Sequence, residues 1–266
     1  MMNKPIAALI LAAGKGSRMQ GFEGNKTLLP LIPAGSPFHG ERFILLNILQ
    51  SLPPGPKGLV IHHKKEKVIE ATGGLGLTYY VQPVLNGTGG ALLAAREFIQ
   101  DPNHERLIIT MGDVPFVKES TYLKLANALA HHQLAVLGFR PEDKRQYGVL
   151  EMEGDRVRKI TEWKYWKEYP EERQKGLRIC NSGIYAFQTG ALVRYLPMLA
   201  DRPHKVIKER EGTLTEIQEF FMTDLVEWMD QDGLSVGAVL AEDENEVMGI
   251  DDLASLQRAQ QLSKCL

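Results

Sequence analysis

The sequence predicts an α/β protein built on a doubly wound, mostly parallel sheet. Short apolar runs alternate with amphipathic stretches through the first two-thirds of the chain, and a glycine-rich loop follows the first run directly. Such alternation is typical of Rossmann-like strand–helix units, which place ligands at the carboxyl ends of the strands. The 266 residues suit one large α/β domain or two small ones, and we predict a single domain over 1–266.

Five apolar runs are the predicted strands of the parallel sheet. They are Ile6–Ala13, Leu59–His62, Thr78–Gln82, Leu107–Thr110 and Ala135–Phe139. The amphipathic segments between them are predicted helices, over Phe43–Leu52, Lys65–Ala71, Gly90–Ile99 and Ser120–His132. Because serine is a favoured residue at helix starts, we expect Ser120 to cap the last of these helices.

The pattern changes after about residue 140. Two short apolar runs flank Glu153-Gly154-Asp155, and this predicts a β-hairpin of Val149–Met152 and Val157–Ile160. The highly charged stretch Lys164–Arg178 is expected to form an exposed loop or a short helix. The remaining predictions are a strand over Ile184–Phe187, a long helix over Leu214–Met229, a strand over Leu234–Leu240 and a closing helix over Asp252–Leu262.

Composition excludes several classes of protein. Apolar residues make up 44%, charged residues 24%, and the net charge is −2, so no basic excess points to a nucleic-acid partner. No stretch approaches the 18 or so apolar residues of a membrane span, and the short first run favours a cytoplasmic protein over a secreted one. Two cysteines are too few for a disulfide framework: we expect Cys180 to be a buried small hydrophobe and Cys265 to have no role.

The glycine-rich loop from Leu11 to Met19 is the first candidate binding site. Gly14 and Gly16 let the backbone turn tightly and approach a ligand without an intervening side chain. Backbone N–H groups in such a turn form a nest that binds anions. The alternative is a tight strand–helix turn whose neighbouring cations are merely solvated.

Three cations lie in or after this loop, namely Lys15, Arg18 and Lys26. A glycine loop with three cations suits a triphosphate. Two common glycine loops are excluded. A dinucleotide-binding fingerprint needs a third glycine where Met19 stands, and a P-loop needs Gly-Lys-Ser/Thr, whereas Asn25 separates Gly24 from Lys26 here.

The string Leu11–Met19 with the downstream Lys26 resembles the signature of sugar-1-phosphate nucleotidyltransferases, although that family usually has proline where this chain has Asn25. The resemblance implies the nucleotide-diphospho-sugar transferase fold, with a nucleotide-binding part over about 1–140 and a sugar-binding part with closing elements over 141–266. It implies that Lys26 reaches the reacting phosphates. It also implies that the nucleoside triphosphate lies on Leu11, Ala12, Ala13, Gly14 and Gly16.

A second glycine-rich segment, Gln82–Gly90, follows the third predicted strand. The amide of Gln82 can both donate and accept hydrogen bonds, which suits the edge of a nucleobase. The segment resembles the Gln…Gly-Thr segment of the same family, so the resemblance implies that Gln82, Gly87 and Thr88 bind the base. The alternative is a Gly-Thr helix cap.

Two aspartates are candidate Mg²⁺ ligands. Asp113 follows Gly112 at the end of a predicted strand, where a hard oxygen ligand could hold Mg²⁺ against phosphate oxygens, although a turn residue is the simpler interpretation. It resembles the Gly-Asp metal ligand of the family. The stretch Glu246–Asp251 resembles the end of the uridylyltransferase domain of N-acetylglucosamine-1-phosphate uridylyltransferases, where the second ligand is asparagine. The resemblance implies Mg²⁺ on Asp113 and Asp251, with Asp252 as an alternative to Asp251.

Three further segments resemble those that surround the sugar in this family: Gln146–Leu150, Thr161–Lys164 and Asn181–Tyr185. The resemblance implies that Gly148, Glu162 and Asn181 bind the sugar. Glu219–Leu225 resembles a string of the N-acetylglucosamine-1-phosphate uridylyltransferases.

The resemblance implies an enzyme that joins a sugar 1-phosphate to a nucleoside triphosphate, with UTP and N-acetylglucosamine 1-phosphate as the expected pair. Lys15, Arg18 and Lys26 would be its catalytic cations. Two alternatives stay open: a guanylyl- or thymidylyltransferase for another sugar phosphate, and a non-catalytic regulatory protein that binds a nucleotide-sugar. The expected partners are these small molecules, with no nucleic acid and no membrane.

Overall fold

The computed structural model describes residues 5–19, 21–210 and 213–264, so Cys265 lies outside the described residues. The strands are β1 (Ala7–Leu11), β2 (Pro30–Ala34), β3 (Ser36–Phe43), β4 (Lys57–Ile61), β5 (Leu77–Val81), β6 (Arg106–Met111), β7 (Leu134–Phe139), β8 (Val149–Glu153), β9 (Arg156–Thr161), β10 (Cys180–Gln188), β11 (His204–Arg210), β12 (Thr213–Glu219) and β13 (Val236–Leu240). The helices are α1 (Ile44–Ser51), α2 (Lys65–Ala71), α3 (Gly87–Ala94), α4 (Arg96–Ile99), α5 (Glu119–Asn127), α6 (Trp163–Trp166), α7 (Glu171–Gly176), α8 (Thr189–Asp201), α9 (Asp224–Gln231) and α10 (Leu253–Ser263).

The central sheet has, within the described residues, nine strands in the order β5-β4-β1-β6-β10-β7-β13-β9-β8. Strand β1 pairs in parallel with β4 and β6, β4 with β5, and β7 with β13. Strand β10 runs antiparallel between β6 and β7. The predicted mostly parallel, doubly wound sheet is therefore confirmed, and the carboxyl ends of β1 and β6 lie side by side at Leu11 and Met111.

Apolar side chains cover both faces of this sheet. Every residue of β1 is buried, and its alternate residues enter two separate cores. Helices α1, α5 and α10 pack on one face, while α3, α8 and α9 pack on the other. Burial on both faces explains why the parallel strands read as continuous apolar runs in the sequence.

The predicted long helix Leu214–Met229 is wrong. Residues 213–219 form β12, which pairs with β11 as an antiparallel ribbon from His204↔Glu219 to Arg210↔Thr213, and helix α9 begins only at Asp224. The backbone hydrogen bonds of this segment are supplied by β11, so the partner strand decided its conformation rather than local spacing. Strands β2, β3 and β11 and helix α8 were not predicted either, and α8 contains Pro197.

The expected cap at Ser120 is also wrong. Helix α5 begins at Glu119 with Lys118 at its cap position and no side-chain cap of its own. The start of the helix is held instead by Glu246, whose Oε1 accepts hydrogen bonds from the backbone N–H of Lys118 and the hydroxyl of Thr121. A carboxylate from far along the chain thus supplies the cap.

The later predictions fit the fold more closely. The hairpin is formed by β8 and β9, and the charged stretch contains the short helices α6 and α7. Cys180 is buried, and burial raises the pKa of its thiol to about 11. None of the described helices has the length and apolar character needed to cross a bilayer.

Candidate active site

The glycine-rich loop leaves β1 at the carboxyl edge of the sheet. Its first residues are tied to both neighbouring strands, because Ala12 donates its N–H to the carbonyl of Val60 and Leu11 accepts from Gly112, each at 2.9 Å. A Cβ added at Gly112 would lie only 2.8 Å from the Cβ of Ala12. A larger residue there would therefore push the segment that carries Asp113 away from the loop.

Gly16 of the loop lies against the side chain of Lys26. Gly16 has φ of +64°, and a Cβ there would lie 3.0 Å from the Cβ of Lys26. Glycine tolerates both the left-handed backbone and this close approach. Lys15 and Arg18 are exposed on the loop, and the guanidinium Nη2 of Arg18 lies 3.0 Å from Asp251 Oδ1.

Lys26 lies at the centre of the site. Its Nζ is 2.6 Å from Asp113 Oδ2 and 3.2 Å from Asp251 Oδ1, although these partners are 87 and 225 residues away in the chain. Burial acts to lower the pKa of Lys26, but the charges and hydrogen bonds of Asp113 and Asp251 outweigh it and the pKa is raised. We call this arrangement of Lys26, Asp113 and Asp251 the lysine centre.

The lysine centre is fixed by the backbone as well as by charge. The N–H of Ile250 donates to the carbonyl of Asp113 at 2.9 Å, and the N–H of Asp251 donates to Ser255 Oγ at 2.9 Å. The carboxylate of Asp252 accepts from the N–H of Ser255 in the capping box of α10. Asp251 rather than Asp252 therefore belongs to the centre.

The donor set of the lysine centre fits Mg²⁺. Asp113 and Asp251 converge on one cation, the ammonium of Lys26, so both carboxylates already face a common positive charge. Mg²⁺ in enzymes is commonly held by one or two carboxylates, with waters and substrate phosphates completing its shell. The predicted ligands are thus brought together, and Mg²⁺ binding itself stays a prediction.

Asn25 stands where the similar family usually has proline, and the structure explains how it supports Lys26. Lys26–Leu28 form a short 3₁₀ turn, and Asn25 Oδ1 accepts from the N–H of Thr27 at 2.9 Å. The amide nitrogen of Asn25 donates to the carbonyl of His63 at 2.7 Å. This buried amide therefore caps the turn that carries Lys26 and ties it to the end of β4.

Replacing Asn25 with alanine is expected to lower the free energy of unfolding by about 1–2 kcal/mol, because a cap and a buried hydrogen bond are lost. Turnover should also fall several-fold, since Lys26 loses its support. Denaturant unfolding and steady-state kinetics check both effects. Asn103→Ala is the matched control, because it makes the same change at an exposed asparagine whose amide nitrogen donates one hydrogen bond, to Asp101 Oδ1. Equal losses in the two variants would contradict the role given to Asn25.

A pocket beside the loop collects most of the residues expected to bind the nucleotide. Its lining, which we call the loop pocket, comprises Leu11, Ala13, Gly14, Gln82, Leu85, Gly87, Thr88, Ala91, Met111 and Glu219. Sequence reasoning did not assign Met111 or Glu219 to a site. Glu219 begins the string that was compared with the uridylyltransferases, so a signal for it was present.

Gln82 is buried at the carboxyl end of β5 and has a fixed orientation. Its Nε2 donates to Asn86 Oδ1 at 3.0 Å and to the carbonyl of Gly87 at 3.1 Å. These two hydrogen bonds fix the orientation of the Gln82 amide, and both of its amide hydrogens are used within the segment Gln82–Gly90. Gln82 is thereby suited to accept, rather than donate, a hydrogen bond from a base.

The segment after Gln82 is held by the chain that follows β12. Gly87 has φ of +93°, and a Cβ there would lie 2.4 Å from the carbonyl oxygen of Phe220. Gly89 donates its N–H to the same carbonyl at 2.8 Å, and the hydroxyl of Thr88 accepts from the N–H of Met222 at 3.1 Å. The two halves of the chain thus meet at the loop pocket.

The three residues expected to bind the sugar also come together. The N–H of Asn181 donates to the carbonyl of Gly148 at 2.8 Å, and a Cβ at Gly148 would lie 3.4 Å from Glu162 Oε2. Asn181 exchanges hydrogen bonds with the hydroxyl of Tyr185. We call Gly148, Glu162 and Asn181 the Glu162 wall.

Glu162 has an unusual electrostatic environment. Burial raises the pKa of its carboxyl, the charge of Lys164 opposes that shift, and the charge of Asp224 adds to it. A carboxylate in partly buried surroundings is a strong acceptor for hydroxyl groups. The wall therefore offers an acceptor whose ionisation changes at a higher pH than that of an ordinary glutamate.

The fold and the loop at its carboxyl edge define a class of α/β proteins that hold a nucleotide outside the ends of parallel strands. Residues 8–201 match the family described as the MobA-like NTP transferase domain, and the chain belongs to that family.

Curated relatives resemble nearly the whole chain, and a solved structure shares its fold. The chain is 32% identical to the bifunctional protein GlmU of Sphingopyxis alaskensis over 97% of the chain and 52% of the relative, and 32% identical to that of Jannaschia sp. over 97% and 52%. It thus spans about half the length of these relatives. A Bacillus anthracis structure, named as a glucose-1-phosphate thymidylyltransferase in complex with a sucrose, superposes with a TM-score of 0.69 over 98% of this chain and 96% of that chain. At 20% identity, this similarity shows the fold alone.

Proposed function

We propose that this chain transfers a nucleotidyl group from a nucleoside triphosphate to a sugar 1-phosphate, with UTP and N-acetylglucosamine 1-phosphate as the substrate pair. The observation that carries the proposal is the lysine centre, which brings Lys26, Asp113 and Asp251 together beside the glycine-rich loop. The similarity to the GlmU proteins supports the choice of substrates.

The reaction needs positioning and charge neutralisation rather than a protein nucleophile. An oxygen of the sugar 1-phosphate attacks the α-phosphorus, a new P–O bond forms, and the bond to the bridging oxygen breaks as pyrophosphate leaves. Lys26 lies where it can neutralise the reacting phosphates, while Lys15 and Arg18 hold the leaving pyrophosphate. Mg²⁺ held by Asp113 and Asp251 would add positive charge at the α-phosphate.

The hydrogen bonding of Gln82 in the loop pocket favours a base with a ring N–H donor. Because both amide hydrogens of Gln82 are committed to Asn86 and Gly87, its remaining capacity is that of an acceptor. Uracil, thymine and guanine each present a ring N–H donor, whereas the corresponding nitrogen of cytosine is an acceptor and only its exocyclic amino group can donate. The expected order of turnover therefore places CTP last.

A pyrophosphate-release assay tests the proposal. UTP, dTTP, GTP and CTP are each combined with a panel of sugar 1-phosphates in the presence of Mg²⁺, and protein folding is verified separately. Turnover with UTP and N-acetylglucosamine 1-phosphate is the expected result. No turnover with any pair would defeat the proposal, and calorimetric binding of a nucleotide-sugar without turnover would favour the regulatory alternative.

Replacing Glu162 with glutamine is expected to weaken sugar 1-phosphate binding about tenfold at neutral pH, since a charged acceptor is lost. In the unsubstituted protein the KM for the sugar 1-phosphate should rise as the pH falls through the raised pKa of Glu162. The reason is that the protonated carboxyl accepts hydrogen bonds from the sugar less strongly. The glutamine variant cannot titrate, so this rise should vanish. The KM for the sugar 1-phosphate, measured against pH for both proteins, checks the prediction. A variant whose KM still rises at acid pH would contradict it.

A further inference from the structure

A cleft beside the lysine centre is lined by arginines from three separate segments of the chain. Arg18 comes from the glycine-rich loop, Arg145 precedes β8 and Arg258 lies on α10, and Tyr147 and Asp251 also line the cleft. We infer that this arginine cleft is an anion subsite for the leaving pyrophosphate, in which Arg145 and Arg258 bind phosphate oxygens in addition to Arg18. The inference rests on the proposed function.

The arginine cleft is continuous with the lysine centre. Arg18 Nη2 lies 3.0 Å from Asp251 Oδ1, and the same oxygen lies 3.2 Å from Lys26 Nζ. The residues of the Glu162 wall do not line this cleft. Gln146 and Tyr147, which precede Gly148, line one side of the cleft, while Arg18 places an anion held there next to the reacting phosphates.

The backbone and side chain of Arg145 suit it to bind an anion. Its φ is +43°, a left-handed conformation that costs a non-glycine residue free energy, and its N–H donates to Asp143 Oδ1 at 2.9 Å. The side chain is exposed and forms no ion pair within the part of the chain that the structure describes. The turn thus places an exposed guanidinium at the cleft, with no ion-pair partner among the described residues.

Arg258 is oriented in advance. Its Nη2 donates to Asn245 Oδ1 at 2.7 Å and lies 3.7 Å from Glu244 Oε1. The adjoining depression, which shares Arg145 and Arg258, is also lined by the acidic residues Glu142, Asp143 and Glu244. Asp251 and Asp252 add two carboxylates at the end of the cleft near Arg18, so a bound phosphate needs the charge of Arg145 and Arg258 as well as that of Arg18.

Pyrophosphate matches this arrangement by charge and shape. Its two phosphoryl groups need several cations, and guanidinium groups bind phosphate oxygens through paired hydrogen bonds. A second anionic group on the acceptor sugar has the same chemistry. Arg18, which the proposed reaction assigns to the leaving pyrophosphate, lines the cleft and favours pyrophosphate, and the experiment distinguishes the two sources.

The test is isothermal titration of inorganic pyrophosphate, and separately of N-acetylglucosamine 1-phosphate and N-acetylglucosamine 1,6-bisphosphate, into the full chain with Mg²⁺. Arg145→Ala is expected to weaken pyrophosphate binding five- to twentyfold and Arg258→Ala at least threefold, with both sugar phosphates bound within twofold of the original affinity. Alanine keeps a Cβ, so the backbone of Arg145 is equally constrained in both proteins. Arg140→Ala is the matched control, because Arg140 is exposed nearby and does not line the cleft.

Equal pyrophosphate affinity in Arg145→Ala and Arg140→Ala would overturn the subsite, as would an absence of pyrophosphate binding in the unsubstituted chain. If Arg145→Ala lost affinity for the bisphosphate but not for pyrophosphate, this would also overturn the proposal and assign the cleft to a second phosphate on the sugar substrate. Failure of the proposed function gives a different result: pyrophosphate binding still depends on Arg145, but no substrate pair turns over.

Discussion

Replacing Asp113 with asparagine is expected to lower kcat by about 10²–10⁴-fold while the fold and nucleotide affinity are retained. Loss of charge neutralisation at a reacting phosphate costs several kcal/mol of transition-state stabilisation, and each 1.36 kcal/mol is tenfold in rate. The substitution keeps the shape of the side chain, and its partly exposed position limits the structural cost. Turnover measured against Mg²⁺ concentration, with thermal unfolding alongside, checks this expectation.

Asp251→Asn is the matched control, since it makes the same change on the other predicted ligand. The expected loss is within about tenfold, because Asp251 is the more exposed of the two, at 41% against 20% for Asp113, and because asparagine is the residue that the similar family has at this position. If both aspartates serve only as turn and capping residues, each substitution would cost about 1 kcal/mol of stability. An unaltered Mg²⁺ profile in Asp113→Asn would then remove the metal site.

Lys26→Met is expected to lower kcat/KM by about 10²–10³-fold and to destabilise the apoprotein by about 1–3 kcal/mol. Methionine fills a similar volume, but Asp113 and Asp251 lose the cation they share and repel one another. Mg²⁺ can replace the lost charge. Its addition should therefore raise the Tm of the variant more than that of the unsubstituted protein.

Lys67→Met is the matched control for Lys26→Met, because Lys67 is exposed on α2 and the substitution makes the same change of charge and shape. Its expected effect on stability is within 0.5 kcal/mol and its effect on turnover is negligible. If Mg²⁺ raised the Tm of Lys26→Met no more than the Tm of Lys67→Met, the assignment of a shared cation site would be contradicted.

The sequence predicted most of the parallel part of the fold, because its strands are buried on both faces and read as apolar runs. It failed where a distant partner decided the conformation. Residues 214–218 are exposed or only partly buried, and they become part of a strand through pairing with β11. The start of α5 is likewise held by Glu246, which no local pattern around Ser120 could reveal.

The candidate site was predicted from motifs, but its physical arrangement was not. Resemblance selected Lys26, Asp113 and Asp251 individually, whereas their meeting at one ammonium depends on contacts across most of the chain. The role of Asn25 was equally hidden, since it follows from a bond to the carbonyl of His63. Arg145 has no periodic or motif signal, and only the turn geometry and the cleft single it out.

The hydrogen bond from Ile250 to the carbonyl of Asp113 has a consequence for the timing of assembly during synthesis. Strand β1, the glycine-rich loop and Asp113 leave the ribosome well before residues 250 and 251 are made, and such late, long-range contacts are slow to form. Until then Lys26 has only one carboxylate beside it. The newly made chain can therefore build most of its sheet first and complete the lysine centre only when its last segment docks.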